Sequence, residues 1–288
     1  MTTIRQALEQ GTLILTQAGQ SEARLDAQVL LSHILNVERS ALYAHPERTL
    51  TRASRQHYLT LIERRSQGEP VAYLTGHKEF YGLDFLVDQR VLIPRPETEL
   101  LVEAALGACR SLLAGGRTPV VADIGTGSGI MPITLAVLEP RLPYLYATDI
   151  SAAALEVAHL NCLRHHVEQR VRLLHGDLLT PLPEPVDVLT TNLPYVGTGE
   201  VDDLARDVLA YEPHLALFSG PDGLDLLQRF FTELQSSHKI AQRAVLLLEI
   251  GYRQREPLTS LLQELWPRAT VTFKKDFAGW DRVLQVSL

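Results

Sequence analysis

Along the first 75 residues, apolar positions recur at helical spacing. They are Ala7, Leu13 and Leu15, then Ala27, Leu30, Leu31, Ile34 and Leu35, then Tyr58, Leu61 and Ile62. Residues three and four apart share one face of a helix, so this spacing predicts a small helical bundle. Ser21, followed by Glu22, Ala23 and Arg24, gives a helix start, and Gly68-Glu69-Pro70 closes the section. The pattern then changes. Between residues 76 and 96 the strand formers Phe80, Tyr81, Phe85, Val87, Val91 and Ile93 are separated by turn-like Gly82 and Asp88-Gln89, which predicts a β-hairpin linking two domains. Pro94 and Pro96 stiffen the next stretch. A helix then begins at Glu97, with acids in the first turn, where the helix dipole favours them.

From about residue 97 to the end, short apolar runs alternate with helical patterns. Val120-Val121-Ala122-Asp123-Ile124 reads as a buried strand, followed by Leu145 to Asp149, Val171 to His175, Val186 to Thr191 and Ala244 to Glu249. Thr270 to Phe273 and Arg282 to Val286 close the chain. Helical patterns between the first five strands imply a doubly wound α/β sheet of seven strands, Rossmann-like, with ligands at the carboxyl ends of its strands. The expected organisation is a helical domain over 1–75 that docks substrate or else caps the catalytic domain, a hairpin linker over 76–96 and a catalytic domain over 97–288.

Composition narrows the class. The chain has 288 residues, 45% of them hydrophobic, enough for two cores. Its net charge of −7 argues against a protein that grips nucleic acid through phosphates. Cys109 and Cys162 sit in apolar helical contexts and read as buried thiols, as expected in a reducing cytoplasm. No apolar run approaches the roughly 20 residues that span a bilayer, and the N-terminus lacks a signal-peptide pattern. A cytoplasmic protein with no membrane contact is therefore expected. His165-His166 has no converging ligands by spacing, so no metal site is expected.

Candidate chemistry lies at the strand ends. The first strand runs into Gly125-Thr126-Gly127-Ser128-Gly129, where glycines let the backbone turn tightly and approach a ligand. Such a loop suits a dinucleotide or an adenosyl cofactor, or simply connects a strand to a helix. The dinucleotide fingerprint needs a glycine where Ile130 stands. The next strand ends in Asp149, whose carboxylate can accept from both ribose hydroxyls of an adenosine. The third ends in Gly176-Asp177-Leu178, where the acid can accept from an adenine amino group and the leucine can pack on the ring.

The fourth strand runs into Asn192-Leu193-Pro194-Tyr195. An amide or exocyclic amine nitrogen is a poor nucleophile because its lone pair is delocalised. Methylating it requires acceptors that hold the NH₂ with that lone pair aimed at the methyl group. The Asn192 side-chain oxygen can accept one N–H and the Leu193 backbone carbonyl the other. Pro194 stiffens the loop and biases Leu193 toward extended geometry. Tyr195 can stack on a flat substrate group or wall the pocket. Positive charge moves from a sulfonium donor toward the nitrogen, so two acceptors there stabilise the transition state more than the ground state.

These residues, in this order, resemble the release-factor glutamine methyltransferases (the PrmC/HemK family). The resemblance covers nearly the whole chain. It includes Gly76 to Gly82, Leu92 to Glu99, the glycine loop, the Asn192 motif, Tyr211-Glu212-Pro213, Gly220 to Leu224, Leu248 to Gly251 and Lys275 to Gly279. It implies S-adenosylmethionine as cofactor, S-adenosylhomocysteine as product and the glutamine of the Gly-Gly-Gln motif in class 1 peptide chain release factors as target. By the same resemblance, residues 125–129, Asp149, Asp177 and Leu178 hold the cofactor, with Arg95 and Thr98 lying against its pocket. Asn192 also borders that pocket, and Asn192, Leu193, Pro194 and Tyr195 hold the glutamine amide. A release factor as protein partner, a monomeric enzyme and no direct nucleic-acid contact are expected.

One position departs from the family's Asn-Pro-Pro-Tyr: Leu193 replaces the first proline. The backbone carbonyl survives, one fixed φ is lost and an N–H is gained. Two other functions compete. An adenine-amine methyltransferase on nucleic acid uses the same kind of loop, and a basic cleft beside Asn192 would favour it. A non-catalytic cofactor-binding module is the other.

Overall fold

A computed structural model describes residues 2–288. They divide into two compact units, Met1–His77 with Leu204–Tyr211, and Lys78–Asp203 with Glu212–Leu288. The smaller unit contains α1 (Ile4–Gln17), α2 (Ala23–Leu35), α3 (Arg39–Ala44), α4 (Arg52–Ser66) and α5 (Val71–Thr75). Its core joins Ile4, Ala7, Leu15, Leu30, Leu31, Tyr58, Leu61 and Ile62, largely the positions the spacing selects. Leu13 is an exception: it is exposed, because it falls off the stripe formed by Ile4, Ala7, Gly11 and Leu15. Glu22, not Ser21, caps α2, without a side-chain hydrogen bond.

The strip Leu204–Tyr211 joins this unit through specific bonds. The buried Arg65 guanidinium donates to Asp26 Oδ2 at 2.7 Å and lies 3.9 Å from Asp207. The Tyr211 hydroxyl donates to the Gln67 carbonyl at 3.3 Å. Sequence periodicity cannot show such an insertion, because its partners lie more than a hundred positions away.

The larger unit opens with β1 (His77–Phe80) and β2 (Leu83–Leu86), joined through Tyr81 and Gly82. Both turn residues have positive φ, 52° and 75°, as a two-residue type I′ hairpin requires. The hairpin is shorter than expected: Val91 and Ile93 are buried but lie in irregular chain. It is also more than a linker, since Phe80 and Phe85 belong to the core of the larger unit. Next come α6 (Glu99–Ala114), β3 (Val121–Ile124), α7 (Ile130–Leu138), β4 (Leu145–Asp149), α8 (Ala152–Arg164), β5 (Val171–His175), β6 (Val186–Thr191) and α9 (Arg206–Tyr211). The last of these lies in the strip that joins the smaller unit. Then follow α10 (Asp225–Ser236), β7 (Ile240–Glu249), α11 (Arg255–Leu265), β8 (Thr270–Lys275) and β9 (Asp281–Ser287).

The seven strands order as β5-β4-β3-β6-β7-β9-β8. The first five are parallel, and β9 joins β7 and β8 antiparallel. Alternate residues feed two cores. Val121 packs with α6, α7 and α8, while Ala122 and Ile124 face α10 and α11. The chain leaves β3 toward β4 on one side and returns through β6 on the other. At that switch point Ile124 pairs with Thr191 and with Thr148. The loops after β3, β4 and β6 therefore meet at one edge. Both cysteines are buried free thiols. No helix among the described residues is long and apolar enough to cross a membrane.

Candidate active site

The carboxyl ends of these strands border a cavity of about 440 Å³, all of it in the larger unit. Its lining brings together Arg95, Thr98, Gly125, Thr126, Gly127, Ser128, Asp149, Asp177, Leu178, Asn192, Leu193 and Pro194. Tyr195 does not line this cavity; its hydroxyl donates to Glu249 Oε1 at 3.2 Å.

The glycine loop is built by backbone bonds and one carboxylate. Gly125 and Thr126 N–H groups both donate to the Thr148 carbonyl at 2.9 Å, folding the loop over the end of β4. Gly125, Gly127 and Gly129 all have positive φ. A Cβ at Gly129 would lie 2.9 Å from Ile133 and 3.2 Å from Ala158, so the start of α7 also needs glycine for close packing. Asp149 is a fastener as well as a wall. Its Oδ2 accepts from the Gly127 N–H and its Oδ1 from the Ser151 N–H, both at 2.8 Å. Each oxygen keeps a lone pair for a further donor. Burial raises the Asp149 pKa, and the backbone donors oppose that shift. A carboxylate with two spare acceptor sites beside a loop of this kind fits the adjacent hydroxyls of an adenosyl cofactor.

Several supports were not visible as sequence patterns. On α8, Asn161 accepts from Leu86 N–H and donates to the Leu86 and Ser128 carbonyls, fastening the hairpin to the glycine loop. Glu212 accepts from Ile93 N–H at 3.0 Å and from Arg95 at 2.5 Å, which fixes the Arg95 segment against the cavity. Asp177 is paired with Arg229 of α10, another lining residue. Leu178 sits at φ 43° with its carbonyl accepting from the Thr148 hydroxyl.

The catalytic-loop candidate is held from both sides. Leu193 is buried in the core under α10 and α11, and a Cβ at Gly125 would lie 3.2 Å from its side chain. Leucine at this position thus serves as a packing residue between the two loops. Beyond it, Val196 bonds to Leu217 and Ser219. The Gln254 amide donates to the carbonyls of Tyr195 and Gly223 at 3.1 and 3.0 Å. A Cβ on Gly223, which has φ 71°, would lie 2.0 Å from the Tyr195 carbonyl oxygen. Gly223 therefore allows the backbone of the 220–223 turn to close on the loop.

Asp123 is buried beneath the cavity, where its Oδ1 accepts from the Thr190 hydroxyl at 2.7 Å. Burial pushes its carboxyl up to about 7, the Thr190 bond opposes this and the Asp149 charge adds to it. A raised carboxyl pKa favours the protonated folded state. Its stabilising contribution is complete below the unfolded pKa near 4 and is lost as pH rises through about 7. Asp123→Asn should therefore raise the thermal midpoint at pH 8 by several degrees and change it little near pH 4. A difference that stayed constant across pH in melting curves would contradict this account.

The chain is similar to known proteins along its whole length. Residues 6–76 match the family model described as PrmC N-terminal domain, and residues 99–219 match Methyltransferase small domain. It is 39% identical over 98% of its length to a release factor glutamine methyltransferase of Koribacter versatilis, covering 97% of that protein. It is 42% identical over 91% to one of Chlorobaculum tepidum, covering 90% of it. Among solved structures, the N-terminal domain of human METTL16 in complex with SAH superposes with a TM-score of 0.51 at 18% identity. That alignment covers 85% of this chain and 86% of the other, and it shows the shared fold.

Proposed function

The chain belongs to the family of release factor glutamine methyltransferases, and we propose that its own reaction is methyl transfer from S-adenosylmethionine to the side-chain amide nitrogen of the Gly-Gly-Gln glutamine in class 1 peptide chain release factors. The observation that carries this reading is that Asn192, Leu193 and Pro194 share one cavity with the glycine loop and Asp149. A chain whose relatives span its full length supplies the substrate class.

S-adenosylmethionine supplies, when bound, a sulfonium methyl group as the electrophile. Residues 125–129, Asp149, Asp177, Leu178, Arg95 and Thr98 would hold it. The Asn192 side-chain oxygen and the Leu193 carbonyl accept the two amide N–H groups of the glutamine. That removes rotational freedom from the NH₂ and turns its lone pair toward the methyl carbon. As the nitrogen gains positive charge, both acceptors bind it more strongly, which lowers the barrier. The proton leaves after the new N–C bond forms, when the nitrogen has become strongly acidic. No base is needed before attack. Leu193 contributes a carbonyl just as proline would, and burial of its side chain replaces the lost ring as a source of rigidity.

The reading includes a monomeric cytoplasmic enzyme that acts on protein rather than nucleic acid. In this reading its helical section over 1–75, which matches the PrmC N-terminal domain over residues 6–76, docks the release factor. The test is labelling from radioactive S-adenosylmethionine with a release factor, the same factor carrying Gln→Ala in its tripeptide, and a DNA duplex. Label on the first alone is expected. Equal label on both factors, or label on DNA, overturns the substrate assignment.

A further inference from the structure

Glu249, at the end of β7, is 2% exposed and faces the two ends of the Asn192–Tyr195 loop. Its Oε2 accepts from the Thr98 hydroxyl at 2.6 Å, and its Oε1 accepts from the Tyr195 hydroxyl at 3.2 Å. Thr98 Oγ1 in turn lies 3.5 Å from Asn192 Nδ2, at the long end of hydrogen-bond range.

Burial raises the Glu249 carboxyl pKa, while the hydrogen bonds from Thr98 and Tyr195 and the Arg282 charge favour the ionised form; that form has no proton to give, and a threonine hydroxyl has only one. The short contact with Glu249 commits that proton, so Thr98 Oγ1 can only accept from Asn192. The end of the asparagine amide that faces Thr98 is then its NH₂ group. We infer that Glu249 is a positioning residue which, through Thr98, orients the Asn192 amide with its oxygen toward the cavity. This rests on the reading that Asn192 accepts a substrate N–H. Without the chain, the amide could turn by 180° and present donors to a donor. The same carboxylate also holds Tyr195, so one buried group sets both ends of the loop. This explains why the tyrosine hydroxyl points away from the cavity lining.

Two variants at Thr98 separate orientation from packing. Valine keeps the shape and loses the hydroxyl, whereas serine keeps the hydroxyl and loses a methyl. A packing role ranks valine above serine, and the orienting chain ranks serine above valine. We expect Thr98→Val to lower kcat on the release factor ten- to a hundredfold at saturating cofactor and substrate, with any change in cofactor Kd read separately by calorimetry. Thr98→Ser should recover kcat to within about threefold of wild type. Glu249→Gln added to Thr98→Val should cost less than Glu249→Gln costs alone, because the link to Asn192 is already broken and only the Tyr195 bond remains to be lost.

A second readout does not depend on the substrate. The protein has three asparagines, Asn36, Asn161 and Asn192. In protein labelled with ¹⁵N at asparagine, the side-chain pair lost in Asn192→Ala identifies that residue. Its NH₂ resonances should shift in Thr98→Val and stay near wild type in Thr98→Ser. Valine outperforming serine, additive losses in the double variant, or unmoved Asn192 resonances in Thr98→Val would each overturn the inference. Absence of wild-type label on the glutamine would overturn the proposed substrate instead, and the resonance test would still decide the inference.

Discussion

Asn192→Ala should lower the single-turnover rate at saturating substrate by a hundredfold or more, while the cofactor dissociation constant moves less than threefold. The magnitude follows from what is lost. Removing one preorganised polar group that meets developing charge typically costs about 10²–10³ in rate. Asn192 lies at the end of β6, where β3 and its glycine loop run alongside, and it shares the cavity with Asp149. Its side-chain amide faces Thr98, so truncation leaves the Asp149–Gly127 and Asp149–Ser151 bonds in place. The effect should therefore fall on kcat. Calorimetry with S-adenosylmethionine and a quenched single-turnover assay give the two numbers separately. If affinity collapses while bound enzyme turns over normally, Asn192 is a cofactor ligand and not the group that holds the reacting nitrogen.

The elements that the sequence makes legible are those set by local period. Strands β3 to β6 follow from apolar runs, and the glycines at 125, 127 and 129 mark a turn because positive φ excludes most other residues. Asp149 and Asn192 could be selected because they stand at strand ends, where a parallel sheet exposes its ligand-facing edge. What could not be read are the contacts that hold those ends. Asn161 meets Leu86 across 75 positions, Glu212 meets Ile93 across 119 and Thr98 meets Glu249 across 151. Such pairs have no periodic signature, since each side chain alone is an ordinary polar residue and the partner is often only a backbone N–H. Tyr195 illustrates the same limit. An aromatic in a reactive loop suggests stacking, yet a buried carboxylate captures its hydroxyl. The hairpin over 76–96 was legible in its turn and not in its extent: Val91 and Ile93 gain burial from the core, without strand partners.

Asp149→Ala should weaken S-adenosylmethionine binding by a hundredfold or more, and the loss should have two parts. The first is the pair of acceptor sites for vicinal hydroxyls; hydrogen bonds to a charged group contribute about 1.5–3 kcal/mol each. The second is the loop itself, because the same carboxylate fastens Gly127 and Ser151 through their N–H groups. Without it those donors lose their partner in a site that is only 9% exposed at Asp149. Asp149→Asn separates a charge effect from a geometric one. An amide has one acceptor oxygen, so its NH₂ must face either Gly127 N–H or Ser151 N–H, donor against donor. The asparagine variant should thus bind no better than alanine, although it is the same size as aspartate. Hydrogen exchange at the Gly127 amide should accelerate in both variants, while the Thr148-bound amides of Gly125 and Thr126 change less. Unchanged cofactor affinity in Asp149→Ala would remove the residue from the binding site. Near-wild-type affinity in Asp149→Asn would show that charge is dispensable and that one acceptor is enough to hold the loop.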